Sequence, residues 1–180
     1  PRGAPRRAVL DAEVGLEPSP DADAEAGLER ALALAYRYLN SRERTQAEMR
    51  GHLERKGIDA RDVERSIRVL VEQGYLDDAR FAHLFVQDKR ELEGWGADRI
   101  RQVLGTRGVD AEVVEEALAE HEQDSEGEVE RALAVLRRRF PSPPRERRER
   151  DRALGVLLRK GYDPEHALDA IAAHARAADV

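Results

Sequence analysis

From Leu28 onward, apolar residues recur every three or four positions, the period that places side chains on one face of an α-helix. No alternating apolar run is long enough for a strand, and no proline falls between Pro20 and Pro141. The pattern predicts nine helices in three sets of three: 28–41, 46–56 and 60–73, then 78–92, 97–107 and 111–121, then 125–140, 146–160 and 164–176. The second and third helices of each set carry a common block. It reads Met49, Leu53, Gly57-Ile58-Asp59, Val63 and Ile67 in the first set. It returns as Ile100, Leu104, Gly108-Val109-Asp110, Val114 and Leu118, and again as Ala153, Leu157, Gly161-Tyr162-Asp163, Ala167 and Ile171. The glycines lie 51 and then 53 residues apart. Repeats near this period build stacked helical units. The expected fold is therefore all-α: three tandem three-helix repeats, at 28–76, 77–122 and 123–180, forming an elongated, curved stack behind a disordered acidic tail at 1–27. Within the tail, Ala8-Val9-Leu10 suggests a short local strand.

The turn of the block has its own chemistry. Gly57, Gly108 and Gly161 sit where a helix ends in the left-handed conformation. Each follows a cation (Lys56, Arg107, Lys160) at the negative end of its helix. Asp59, Asp110 and Asp163 then cap the next helix, and Pro164 occupies a first helical position. Between the first two sets, Gly74 stops a helix and Asp77 or Asp78 caps the next, whose apolar stripe begins at Phe81. The polar link 121–127 is the expected hinge. These glycines, aspartates and Phe81 are structural assignments.

Composition narrows the function. The chain of 180 residues has no cysteine, which removes disulfide frameworks and thiolate metal sites and points to a reducing, cytoplasmic setting. No run of about 18 apolar residues suggests a membrane span. The five histidines are scattered, none paired at helical metal-ligand spacing, and no phosphate-binding glycine loop follows a strand. Neither a catalytic residue, a metal nor a cofactor is expected. The formal charge is -6, unlike that of a strong binder of naked DNA.

Only Lys56, Lys89 and Lys160 are lysines; the remaining cations are arginines, suited to carboxylate or phosphate contacts. Candidate contact residues in the first two repeats are Arg37, Arg42, Arg44, Arg50, Lys56, Arg80, Arg90, Arg99, Arg101 and Arg107. A second group, Arg137, Arg138, Arg139, Arg145, Arg147 and Arg148, gathers where one predicted helix ends and the next begins. Gly94-Trp95-Gly96 places the single tryptophan in a loop, either packed over a helix end or presented to a partner.

Several segments resemble the RecX family, bacterial regulators of the RecA recombinase. The resemblance begins with Ala35, Leu39, Arg42, Thr45, Glu48, Met49, Leu53 and Lys56-Gly57. It continues through Leu70 and Gly74-Tyr75-Leu76-Asp77-Asp78 to Phe81-Ala82. It includes Arg99-Ile100-Arg101-Gln102, Leu104 and Arg107-Gly108-Val109, and closes with Leu157-Leu158-Arg159-Lys160-Gly161-Tyr162. It covers about residues 28–175. The resemblance implies three tandem three-helix repeats that bind the RecA–single-stranded DNA filament in its groove, block extension, and suppress ATP hydrolysis, strand exchange and co-protease activity. It implies no chemistry of the chain's own. The expected partner is thus the RecA filament, with weak direct DNA contact, for a monomer that needs no membrane. Two features depart from the family pattern: Trp95 precedes Gly96 where a basic residue is common, and the overall charge is acidic. The competing reading is a helix-turn-helix-like regulator acting on duplex DNA.

Overall fold

The computed structural model describes residues 20–123 and 127–177, so the expected strand at Ala8-Val9-Leu10 and the centre of the expected hinge, 124–126, lie outside the described residues. Nine helices are present among them: α1 (Pro20–Leu39), α2 (Gln46–Arg55), α3 (Ala60–Glu72), α4 (Asp78–Glu91), α5 (Ala97–Thr106), α6 (Ala111–Gln123), α7 (Glu128–Arg139), α8 (Arg147–Lys160) and α9 (Pro164–Arg176). The protein is all-α, as its periodicity dictates.

The N-terminal boundary differs from the sequence expectation. Residues 20–27, assigned above to the tail, belong to α1. Proline at the first helical position costs no hydrogen bond, and alanine and glutamate are strong helix formers, so a composition that reads as disorder also suits a helix. Tertiary contact then fixes it: Arg65 Nη1 donates to the Ala24 carbonyl at 2.9 Å.

Each set of three helices closes around its own apolar cluster. The first contains Ala31, Ala35, Met49, Leu53, Val63, Ile67, Leu70 and Leu76. The second contains Phe81, Val86, Ile100, Leu104, Val114 and Leu118, and the third Leu136, Leu157, Tyr162, Ala167 and Ile171. In every set the first helix packs chiefly on the third (α1 on α3, α4 on α6, α7 on α9), with the second helix closing the open side. The hairpin turns follow their sequence chemistry. Gly57, Gly108 and Gly161 have φ of 72°, 75° and 85°. Asp59, Asp110 and Asp163 each accept the backbone N–H two residues on, at 2.8–2.9 Å.

The three units are linked by one joint used twice. At each joint the N-terminus of a unit's second helix docks on the glycine turn of the following unit. At the first, Thr45 Oγ1 donates to the Arg107 carbonyl at 2.7 Å while Thr45 also caps α2 by accepting from Glu48 N at 3.1 Å. At the second, Gly96 N donates to the Lys160 carbonyl at 2.8 Å and Asp98 N to the Gly161 carbonyl at 3.1 Å. Thr45 and Gly96 hold the same place in the repeat, as do Arg107 and Lys160. A carboxylate at the start of the following unit completes each joint. Asp78 accepts from Gln46 N at 3.0 Å, and Glu128 from Ala97 N at 2.9 Å. Of the two candidate caps, Asp77 caps α4 through Arg80 N at 2.9 Å, and Asp78 reaches across to α2.

Charge pairs lock both joints. Glu48 takes Arg107 in two bonds, at 3.0 and 3.1 Å, and Arg42 at 3.2 Å. Burial opposes ionisation of Glu48, but the Arg107 and Thr45 hydrogen bonds and the Arg107 and Arg42 charges outweigh it and hold the carboxyl below its ordinary range. Burial pushes the neighbouring Asp78 carboxyl up, partly offset by the Gln46 N–H. At the second joint, Glu128 meets Arg90 at 3.2 Å and Arg131 at 2.7 Å, and Tyr162 Oη donates to the Gly94 carbonyl at 3.3 Å. Burial pushes the Tyr162 hydroxyl up to about 12.

The glycines are therefore unequal. A Cβ on Gly108 would overlap Ala47, and one on Gly161 would overlap the backbone and Cβ of Arg99, whereas one on Gly57 meets nothing within 4 Å. Replacing Gly57 with alanine is expected to cost only the left-handed penalty, about 1 kcal/mol. Alanine at Gly108 or Gly161 adds a steric clash of about 1–3 kcal/mol, so chemical denaturation ranks both variants well below Gly57→Ala. Glu48→Gln is expected to cost about 1.5–3 kcal/mol at neutral pH. A depressed carboxylate contributes fully above its unfolded pKa of about 4.3 and loses that contribution as pH falls through its folded value. The stability gap between wild type and Glu48→Gln should therefore narrow as denaturation is repeated from about pH 6 toward pH 3.

Candidate anion-binding cleft

The second joint opens onto a cleft of about 660 Å³ between α5, α7 and α8, lined by Arg99, Val135, Arg138, Arg139, Val156, Arg159 and Lys160. Five of these seven residues are cations, and none is acidic. A second cleft of about 860 Å³ shares Arg99 and Arg159 and continues along α5 past Gln102 and Thr106 to Arg107, with Asp98 its one carboxylate. The two clefts adjoin at Arg99 and Arg159, and the one cation the second adds, Arg107, is held by Glu48.

The fold explains the convergence. Arg159 and Lys160 end α8, just before the Gly161 turn. Arg99 lies in the first turn of α5, which the joint sets against that turn, and Arg99 Nη1 donates to the Arg159 carbonyl at 3.2 Å. Arg138 and Arg139 end α7. Trp95 backs Arg99: the Arg99 guanidinium lies 3.9 Å from its ring centroid, the Lys89 ammonium 5.0 Å, and Phe85 meets it edge-on at 6.2 Å. The tryptophan is half-buried, and its face is occupied by cations. Burial pulls the Lys160 ammonium down, as do the Arg138 and Arg99 charges beside it. Mutual repulsion of this kind is relieved when an anion binds.

The other candidate arginines fall into separate places. Arg50 is held by Glu64 at 2.6 Å and Arg101 by Glu115 at 2.7 Å, equivalent pairs in the first two repeats. Arg42 meets Glu48, and Arg80 meets Glu43 at 3.8 Å. Arg37 is exposed and donates to the Ala33 carbonyl of its own helix at 3.2 Å. Arg44 is half-buried over the Tyr38 ring at 3.9 Å. Lys56 is exposed beside the open Gly57 turn. Arg90 corrects the sequence reading: it is 4% exposed, its side chain spent on Glu128 in the second joint, because α4 runs against the start of α7. Arg107 is likewise largely a joint residue, stacked on Phe81 at 4.3 Å and bound to Glu48.

The arginines around residues 137–152 do not form one patch. Arg138 and Arg139 face the cleft, while Arg137 lines a small pocket with Pro141 and His174. Arg145 lines another beside Leu168, and Arg147 and Arg148 are exposed on α8. Among the described residues, none of Arg99, Arg138, Arg139, Arg159 and Lys160 is paired with a carboxylate. Arg159 and Lys160 were not among the sequence candidates, although their slot ahead of Gly161 matches Arg55-Lys56 and carried the signal. His174, sharing a helix with His166, is buried and bonds the Phe140 carbonyl at 2.8 Å. No group of three His, Asp or Glu side chains able to hold a metal occurs among the described residues. No described helix is long and apolar enough to cross a membrane.

The fold and the cleft define a class: all-helical proteins of tandem three-helix units. Residues 31–68 match the family description "RecX, first three-helix domain", and residues 77–118 match "RecX, second three-helix domain". The chain is 40% identical over 134 residues to Regulatory protein RecX of Deinococcus radiodurans, covering 74% of this chain but 63%, under two thirds, of that relative's length. It is 35% identical over 162 residues to Regulatory protein RecX of a Mycobacterium species, covering 86% of this chain and 87% of the relative. With Regulatory protein RecX of Halorhodospira halophila the identity is 38% over 152 residues, covering 84% and 92%. The crystal structure of RecX from Lactobacillus salivarius shares the fold at a TM-score of 0.72 and 20% identity, over 85% of this chain and 99% of that one. This chain belongs to the RecX family of regulatory proteins.

If the cleft holds polyanions, Arg138→Glu together with Arg159→Glu should weaken binding of a fluorescent single-stranded oligonucleotide about tenfold or more. The slope of log K against log salt should flatten by roughly 0.7 for each phosphate that is no longer neutralised. Arg101→Ala, at a cation already neutralised by Glu115, should leave both nearly unchanged.

Proposed function

We propose that this chain is a regulator of RecA that binds the RecA–single-stranded DNA filament in its groove, blocks extension and suppresses ATP hydrolysis, strand exchange and co-protease activity. It acts in the cytoplasm as a monomer and performs no chemistry of its own. Family membership supports a regulatory role, and the resemblance of the repeat segments names RecA as its object. The observation that carries the reading to a surface is the cleft of Arg99, Arg138, Arg139, Arg159 and Lys160. These five cations converge on one cleft with no carboxylate partner among the described residues, whereas Arg42, Arg50, Arg80 and Arg101 of the first two repeats are each paired with one. Such a cluster suits the acidic and phosphate-bearing face of a nucleoprotein filament. A duplex-reading role is disfavoured by α6, the third helix of its unit, whose Glu112, Glu115, Glu116 and Glu120 would repel phosphate if it entered a groove.

The purified protein, added at substoichiometric ratio, is expected to slow the single-stranded-DNA-dependent ATPase of its cognate RecA. An unchanged rate with folded protein would overturn the reading. Arg138→Glu with Arg159→Glu should restore most of the ATPase activity, with a melting temperature close to wild type.

A further inference from the structure

The two joints show what a glycine turn of this repeat receives: the N-terminus of a helix. The Arg107-Gly108 turn holds the start of α2, and the Lys160-Gly161 turn holds the start of α5. The third copy of that turn, Lys56-Gly57, has the same left-handed geometry and ends a helix in the same way. Among the described residues, nothing docks on it. A Cβ on Gly57 would meet no atom within 4 Å, and Glu54, Arg55, Lys56 and Gly57 are all exposed. Among the described residues, Lys56 has no ion pair, and its carbonyl receives no hydrogen bond from another unit.

We propose that the open Lys56-Gly57 turn is a docking site for a helix N-terminus on a protein partner, one that begins with a Ser or Thr cap and carries a carboxylate three residues later. The first joint supplies the template. There Thr45 caps α2 and donates to the turn carbonyl, the small Ala47 approaches the glycine, and Glu48 binds the cation ahead of it. At the open turn, Lys56 stands where Arg107 stands and is the cation that would take that carboxylate. Among the described residues, a second copy of this chain offers no helix start that matches the template, because Thr45 is the one Ser or Thr N-cap and it is engaged in its own joint. Its α2 and α5 N-termini are engaged in its own joints, and α8 starts at Arg147, three residues earlier than the repeat pattern places it. The extra turn satisfies the N–H groups that would dock, since Arg150 N already bonds the Glu146 carbonyl at 3.0 Å. The occupant is therefore another protein, and, resting on the function proposed above, it is a helix of RecA within the filament.

Two variants test the site. Gly57→Asn keeps a residue that tolerates the left-handed conformation but projects a side chain into the approach path. Lys56→Glu reverses the charge that receives the partner carboxylate. Binding to cognate RecA filaments on single-stranded DNA is measured by co-sedimentation, with melting temperatures as the folding control. Both variants are expected to bind about tenfold more weakly than wild type. Wild-type affinity in either folded variant overturns the docking site and leaves the RecA reading standing. Failure of the wild type itself to bind filaments overturns both. Concentration-dependent dimers of the wild type, abolished by Gly57→Asn, would make the turn a self-contact and also overturn the proposal.

Discussion

The structure depends on the meeting of a helix N-terminus with a helix C-terminal turn. Each end alone is poorly satisfied: the first N–H groups of one helix lack acceptors, and the last carbonyls of the other lack donors. Bringing them together serves both: at the second joint the Gly96 and Asp98 N–H groups bond the turn carbonyls directly, at the first the Thr45 hydroxyl does so, and the opposed dipole ends attract. Glycine at the turn does two jobs, holding a positive φ and leaving no Cβ in the path of the incoming backbone. With about fifty residues each, the units have cores too small to stand comfortably alone, so coupling through these joints governs how the stack holds together.

The joints also account for where charge is spent. Glu48 and Glu128 each sit at a junction and draw arginines inward, Arg107 and Arg42 to the first and Arg90 and Arg131 to the second. Other arginines of the first two repeats pair along the hairpins, as Arg50 with Glu64 and Arg101 with Glu115. In the third repeat those two positions are Leu154 and Leu168, and no such pair forms. Five of the cations without a carboxylate partner among the described residues, Arg99, Arg138, Arg139, Arg159 and Lys160, meet where α7 and α8 end beside α5 and make the cleft, while others, such as Arg37 and Lys56, stay exposed elsewhere.

Much of the fold was legible in the sequence because it rests on local rules. Apolar period, glycine stops and aspartate caps placed the helices and their turns, down to Asp59, Asp110 and Asp163. The start of α1 was not, since an Ala/Asp/Glu-rich stretch serves a tail and a helix equally well until Arg65 fixes the Ala24 carbonyl. The site was less legible. A list of arginines says nothing about which carboxylates lie across from them, and burial of Arg90 depends on Glu128, 38 residues away. Arg159 and Lys160 looked like helix-end cations and became cleft residues because the joint lays Arg99 against them. Asp78 looked like a cap for its own helix and serves another. In each case the missing information was a contact between units, which periodicity within a unit does not encode.

The direction of the joints has a geometric outcome. Every joint points the same way, with the helix start supplied by the earlier unit and the turn by the later one, so the protein has a distinct head and tail. A directional protein laid along a lattice of identical, uniformly oriented subunits can match its spacing in one sense only; turned end for end, the same side chains face the wrong groups. On the filament proposed above as the partner, orientation would be fixed by the chain's own connectivity, before any individual contact is formed.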